Sequence, residues 1–374
     1  MSVSTVGSSR LYPADLDRFL RGAALLGSGG GGEAALFGAR LVDQLPSDGL
    51  ELVSMAEAVA AGLGTVAAVG MIGATSVLTE KLPNGNEIAG SVVAAERWCG
   101  RRIDAVMPVE AAGVNAILPV LTAAQLGLPL VDADFTGRAL PRFDQLSLVV
   151  ARPQLLRSAT LAQPGGQLLV LDKCSPAELE RAVRAYVGHS GGWAGATFGP
   201  FPLGELAGAA CEGTLARALA LGGWLTAEAL ERLDELAGAV LARGRVIEVV
   251  RSQGQQFTRS SFAVAAADGA LLRIEAENEY VAAIRDGLPV ATSPELICVL
   301  DRRTAEPIAV ERLRFGDDVQ VVALTGPPWW RAEARRLAAV GPRAFGVDLD
   351  PVLLSQPGRE RDAVDPVAST GERR

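Results

Sequence analysis

From Pro13 to Leu25 the apolar residues Leu16, Phe19, Leu20 and Ala23 recur on one stripe, which predicts a helix. A run of small residues follows, Gly27 to Gly32, in which only Ser28 is not glycine. Glu33 to Leu45 then resumes a helical pattern. Beyond it, short apolar runs alternate with helical stretches. Gly64–Gly73 reads as a buried strand and Ala89–Gly100 as a helix. Asp104–Asn115 reads as a strand running into a loop, and Ala116–Leu126 as a helix. Leu128–Arg142 reads as a short strand ending in a polar loop. Apolar strands that alternate with helices predict a largely parallel sheet covered by helices. In such sheets ligands bind beyond the C-terminal strand ends, and the polar clusters of this chain follow its apolar runs directly.

The pattern changes further along. Gln163–Gln167 reads as a boundary, Ser175–Val187 as a helix with Pro176 at its first position, and "GHSGGWAGATFGPFPLG" as a glycine-rich loop. Gly213–Ala242 carries one or two helices. From Gly244 the runs "GRVIEVVRS", "FTRSSFAVAAA", "ALLRIEAENEYVAAI", "ELICVLDRRT" and "DDVQVVAL" predict an antiparallel sheet or small barrel. The expected organisation is an α/β domain over residues 1–165, a mainly β domain with connecting helices over 166–355, and a polar disordered tail over 356–374.

Composition narrows the function. Of 374 residues, 49% are apolar and 21% charged, an ordinary globular balance, and the net charge is −8. An acidic chain lacks the basic face that nucleic acid or an anionic membrane requires. The first twenty residues lack a signal-peptide core, and no apolar run reaches the ~20 residues of a membrane span, so a cytoplasmic protein is expected. Cys99, Cys174, Cys211 and Cys298 form no CxxC pair and read as small buried hydrophobes, with Lys173 beside Cys174 making that thiol the least ordinary. His189 is the only histidine, so no multi-histidine zinc site is expected. It falls at a helix end, where a capping or surface role is the default.

Three clusters carry candidate chemistry: Glu80 and Lys81; Glu110 with Asn115; and Asp132, Asp134 and Arg138. Alternate residues of an extended chain point the same way, so Asp132 and Asp134 are placed to converge. Close carboxylates raise one another's proton affinity and suit a general base or acid. With Glu110 they also suit a hard divalent cation, although no cofactor is predicted. The ordinary alternative is that the aspartates cap turns and pair with Arg138. The glycine run joins helix to helix and lacks a GK[ST] ending, so it is no phosphate-binding P-loop. Two readings stay open for Gly29, Gly30, Gly31 and Gly32: a substrate-facing anion pocket of backbone N–H groups, or a close-packed turn.

In order, "LLGSGGGG", "GATSVLTEK", "EAAGVN" and "VDADFTGRALP" resemble the N-terminal domain of the S-methyl thiohydantoin desulfurase-like family. "CEGTLARALALG", "AENEYVAA", "SPELICVLD", "VERLRFGDDVQVVAL" and "VGPRAFGVD" are similar to its C-terminal domain. The resemblance implies an α/β sandwich followed by a mainly β domain. It also implies hydrolysis of the C–S bond of an S-methylated thiohydantoin, releasing methanethiol and a hydantoin. Catalytic roles are then expected of Asp132, Asp134 and Glu110, and substrate contacts of Gly29–Gly32, Glu80, Lys81, Asn115 and Arg138. Cys174 as nucleophile is a minor alternative. A small-molecule substrate is the expected partner, with a hydantoinase- or oxoprolinase-type protein or a second copy of the chain as further possibilities; on the first of these the chain is a non-catalytic subunit. Three places depart from the family pattern. Ala112 stands where a glycine is expected, Arg142 where an acid is expected, and "FPLGELAGAA" lacks a basic residue.

Overall fold

The computed structural model describes residues 9–32, 37–225, 238–253 and 257–355. Glu33, the start of the second expected helix, and the expected tail 356–374 lie outside them. The first strands are β1 (Ser9–Leu11), β2 (Leu50–Val53), β3 (Thr65–Gly73), β4 (Ala105–Pro108), β5 (Leu130–Val131), β6 (Ala133–Asp134), β7 (Ala159–Ala162), β8 (Leu168–Leu171), β9 (Trp193–Pro202) and β10 (Cys211–Glu212). The helices among them are α1 (Leu16–Leu26), α2 (Gly38–Gln44), α3 (Met55–Ala60), α4 (Glu87–Cys99), α5 (Val114–Leu126), α6 (Ser147–Ala151), α7 (Pro176–His189) and α8 (Thr214–Gly222). The remaining strands are β11 (Gly238–Gln253), β12 (Thr258–Ala266), β13 (Leu271–Glu277), β14 (Glu279–Arg285), β15 (Leu288–Thr292), β16 (Leu296–Asp301) and β17 (Asp318–Leu324), followed by α9 (Pro328–Arg331) and α10 (Ala334–Val340).

The first sheet has eight strands in the order β1-β2-β5-β4-β3-β9-β7-β8. Its middle, β2-β5-β4-β3, is the parallel part that the alternation of strands and helices predicts. Antiparallel pairs flank it on both sides. The second sheet is antiparallel throughout, seven strands in the order β15-β14-β13-β12-β11-β17-β16. β6 and β10 form a small separate ribbon.

Several expectations are corrected. The stretch "GHSGGWAGATFGPFPLG" is a central strand, β9, not a loop; Trp193 through Gly199 are buried. Its small residues answer to packing, because a Cβ on Gly195 would lie 2.9 Å from Glu87 Cβ on α4. Gln163–Gln167 forms the turn between β7 and β8, so the first sheet takes strands from both sides of it. Of the helical stretch expected over Gly213–Ala242, α8 is present, Gly238–Ala242 opens β11, and 226–237 lie outside the described residues. "ALLRIEAENEYVAAI" is two antiparallel strands that reverse at Asn278, whose φ is 59°.

One apolar core joins the two sheets. Phe19, Leu26, Val92 and Val120 pack in the same cluster as Cys298, Leu300 and Val322 of the second sheet. A second cluster around Phe135, Phe198 and Phe201 covers the other face of the first sheet, and a third around Phe262, Ile274 and Tyr280 fills the second sheet. α1 and α8 meet backbone to backbone: a Cβ on Gly22 would run into the Ala218 carbonyl, and one on Gly222 into the Arg18 carbonyl.

Candidate active site

A cavity of about 880 Å³ opens where β3 and β4 of the first sheet end and the second sheet leans over them. This is where parallel strands leave room for ligands. Gly29–Gly32, Met71–Ser76, Val109, Glu110 and Asn115 line it from the first sheet, and Arg251, Ser260, Asn278 and Glu279 from the second. Leu140 to Phe143 and Arg184 of α7 complete the wall.

The glycine run is both a tight turn and part of this wall. Tyr280 N donates to Ser28 O at 2.7 Å, Val310 N to Gly29 O at 2.9 Å and Val114 N to Gly31 O at 2.8 Å, so three carbonyls are tied into the body of the protein. Gly31 has φ +78°, and a Cβ there would lie 3.2 Å from the Gly113 backbone. Gly30 differs: its φ is not positive, and a Cβ would meet only the Glu279 side chain, at 2.6 Å from Cγ and Oε1. The N–H groups of Gly29, Gly31 and Gly32 have no acceptor among the described residues. Turn and anion pocket are therefore compatible readings of the same residues.

Two buried carboxyls line the cavity. Glu110 follows β4 and is 8% exposed; its Oε2 accepts from Leu140 N at 2.9 Å. Burial raises its pKa to about 8, with the nearby Asp134 adding to the rise and the Leu140 N–H opposing it. Glu279 opens β14 and is 5% exposed. Burial pushes its pKa well above the usual carboxylate range, and Glu110 pushes it further. Glu279 Oε2 is buried without a hydrogen-bond partner. An acceptor left unmade inside a protein is costly, so an atom of this kind on a cavity wall is open to a water molecule or a ligand. Asn115 stands behind them, its amide pinned to the β3 edge: Oδ1 accepts from Met71 N at 2.7 Å and Nδ2 donates to Met71 O at 3.2 Å.

The aspartates do not line the cavity. Asp132 accepts from Leu215 N at 2.7 Å and from Ala216 N, capping the first turn of α8. Asp134 accepts from Ala111 N at 2.6 Å, Gly137 N at 2.7 Å and Thr136 N at 3.2 Å, holding two loops together. Burial raises them to about 6 and about 7 respectively. The convergence that alternation suggested is broken because β5 ends at Val131 and β6 begins at Ala133, so each carboxyl turns to a different set of backbone donors.

The remaining candidates also lie off the cavity wall. Arg138 is fully buried and donates to Ala139 O, Ser293 Oγ, Glu295 O and Tyr280 O, joining the two sheets. Lys81 Nζ donates to Gln163 Oε1, Ser190 O and Trp193 O, and Glu80 is exposed. Cys174 is half-buried beside Asp172 O, away from the cavity. Glu110, Asp132 and Asp134 do not gather as a cation site: no group of three or more metal-ligating side chains occurs among the described residues. No helix among the described residues is long and apolar enough to cross a membrane.

Glu279 is a buried cavity-lining carboxyl that the sequence reading did not single out. Its signal is the acidic turn "ENE" between two strand-like runs.

The comparisons agree with this architecture. The N-terminal domain of the S-Me-THD-like family matches residues 14–173, and its C-terminal domain matches 174–354. A crystal structure of a protein from Chromobacterium violaceum, solved by the Northeast Structural Genomics Consortium, superposes with a TM-score of 0.78 at 25% identity, covering 93% of this chain and 100% of that one. No curated protein matches.

Proposed function

The chain belongs to the S-Me-THD-like, or S-methyl thiohydantoin desulfurase-like, family, and from that premise we propose that its cavity hydrolyses the C–S bond of an S-methylated thiohydantoin-type ring, with Glu110 and Glu279 as the acid–base pair. The observation that carries this reading is the pair itself: two buried carboxyls lining one cavity, Glu110 from the first sheet and Glu279 from the second, the latter with an oxygen that has no partner among the described residues. Burial holds both carboxyls above the usual range, and their partners separate their roles: Glu110 accepts a backbone N–H, which favours its ionised form, whereas Glu279 Oε2 accepts nothing. Glu279 keeps its proton and donates to the ring nitrogen of the amidine-like C=N bond. That makes the adjacent carbon electrophilic. Glu110, as a carboxylate, takes a proton from the water that attacks the same carbon.

The tetrahedral adduct carries the new hydroxyl, the ring nitrogens and the methylthio group. Its collapse breaks the C–S bond. The proton held by Glu110 goes to the departing sulfur, and methanethiol leaves. A carbonyl forms where sulfur was bound, and its proton returns to Glu279. The N–H groups of Gly29, Gly31 and Gly32, which have no acceptor among the described residues, are assigned to hold the negative charge that develops on the attacking oxygen or on sulfur. Released methanethiol, followed with a thiol reagent after mixing the purified chain with an S-methyl thiohydantoin, tests the reading. Release by the native chain and its loss in Glu279→Gln are expected. Equal release by both would remove Glu279 from the chemistry.

A further inference from the structure

The second sheet, which brings Glu279 to the cavity, also carries polar groups there that the proposed ring chemistry leaves idle. Arg251 and Ser260 are direct cross-strand partners on β11 and β12, so their side chains leave the sheet on the same face, and both line the cavity. Ser260 is 4% exposed, and its Oγ is buried with no hydrogen-bond partner. Arg251 is fixed in place through one nitrogen: Nη2 donates to Val310 O at 3.0 Å and to Leu313 O at 2.6 Å, and the guanidinium lies 5.5 Å from the Phe262 ring centre. Its Nε and Nη1 make no hydrogen bond among the described residues. The planar fork is thus held while one edge stays free, beside a hydroxyl that also lacks a partner. A fork edge and a hydroxyl together match the two oxygens of a carboxylate.

Two more guanidiniums line the same cavity. Arg184 donates to Glu180 and Pro141 O through Nε and Nη2, leaving Nη1 unused, and stacks 4.9 Å from the Phe257 ring centre. Arg142 is held by Glu277 at 2.8 Å and by Ala344 O. Glu311, the acid at this lip, is exposed to solvent. The cavity therefore holds, besides the two buried acids that suit the ring, guanidinium groups that suit an anion.

We infer that Arg251 and Ser260 form a carboxylate subsite, so that the substrate is a ring bearing an acidic side chain. This rests on the proposed ring chemistry only for the identity of the ring. The probes are hydantoins carrying a short carboxylate arm, the same hydantoins with the arm as a primary amide, and the corresponding dicarboxylic acids without a ring. Affinity is read by calorimetry and does not depend on turnover.

The acid-arm hydantoin should bind native protein about 10–100-fold more tightly than its amide, the range expected for a charge-assisted contact. Arg251→Gln should bring that ratio to within about threefold, and Ser260→Ala should lower it several-fold. Arg273→Gln, on an exposed side chain away from the cavity, should leave the ratio as it was. Equal binding of acid and amide by native protein would overturn the subsite while leaving the ring reading intact. Preference for the ringless dicarboxylates, lost in Arg251→Gln, would uphold the subsite and count against the ring. An acid preference that survives both Arg251→Gln and Ser260→Ala would overturn their assignment.

Discussion

Asp132 and Asp134 sit on a ribbon between the first sheet and α8, while Glu110 and Glu279 sit on the wall of a cavity, and all four carboxyls are shielded from water. Burial raises the proton affinity of every one of them. What separates the pairs is how their oxygens are used. The aspartates are surrounded by backbone N–H donors, which is how a carboxyl fastens loops and helix ends. Glu110 accepts a single backbone N–H, and Glu279 has an oxygen with none. A shifted pKa thus reports burial in both regions, and it is unused hydrogen-bonding capacity on a cavity wall that supports giving the glutamates rather than the aspartates the proposed chemical roles.

The largest effect that tests this contrast is on turnover. Glu279→Gln or Glu110→Gln should lower kcat by ~10²–10⁴-fold, the usual worth of a general acid or base, with little loss of melting temperature. Asp134→Asn should do the opposite. An amide there offers donors to N–H groups that need an acceptor, so stability should fall by ~1–3 kcal/mol while kcat per folded molecule stays within about tenfold. Denaturant melts beside active-site-normalised rates would invert the comparison if Asp134→Asn stayed stable and lost turnover.

Next in size is the pH dependence of stability. The Glu110 pKa rises from 4.5 to about 8 on folding. Its contribution is therefore complete below pH 4.5 and is lost as pH climbs to about 8, at about 1.36 kcal/mol per pKa unit. Glu110→Gln carries no ionising group and should flatten the decline over that window. The same ionisation should make kcat/KM of the native chain rise toward pH 8, because the base works only as a carboxylate. An identical stability slope in native protein and variant would assign the buried proton elsewhere.

A smaller effect separates the two roles of the glycine run. Gly30→Ala introduces a methyl that meets only Glu279, so turnover should fall about tenfold with a small stability change. Gly31→Ala forces a side chain onto a left-handed backbone and against Gly113, so it should cost ~1–2 kcal/mol. The smallest effect expected is that of Asp132→Ala, which removes the α8 cap: ~1 kcal/mol of stability, with kcat unchanged. Thermal melts and rates on the three variants would check the order.

Much of the architecture is legible in the chain because its signals are local. The stripe of Leu16, Phe19 and Ala23 gives α1, and the apolar run of β3 lies where its pattern puts it. β9 was illegible because its glycines answer to α4, which is remote in sequence. The site divides in the same way. Gly29–Gly32, Glu110 and Asn115 were recognisable because they cluster after predicted elements, and they do line the cavity. Glu279 was not, since nothing near Asn278 says that the second sheet will bring it against Gly30. That the aspartates lie off the cavity wall was not legible for the converse reason: their backbone donors come from Ala111, Gly137 and α8, which no short window contains.

The contact of Gly22 with α8 and of Gly222 with α1 sets where this protein is free to vary. Neither position accepts a side chain while the other helix stays in place, so the pair is locked against gradual change, one substitution at a time. α1 runs directly into the glycine run, so that lock extends to the glycine-lined part of the cavity. Arg142, Arg184, Arg251 and Ser260 project from elements outside the locked pair. A lineage adapting to a new substrate therefore has its room for exchange at these residues rather than at the glycine run.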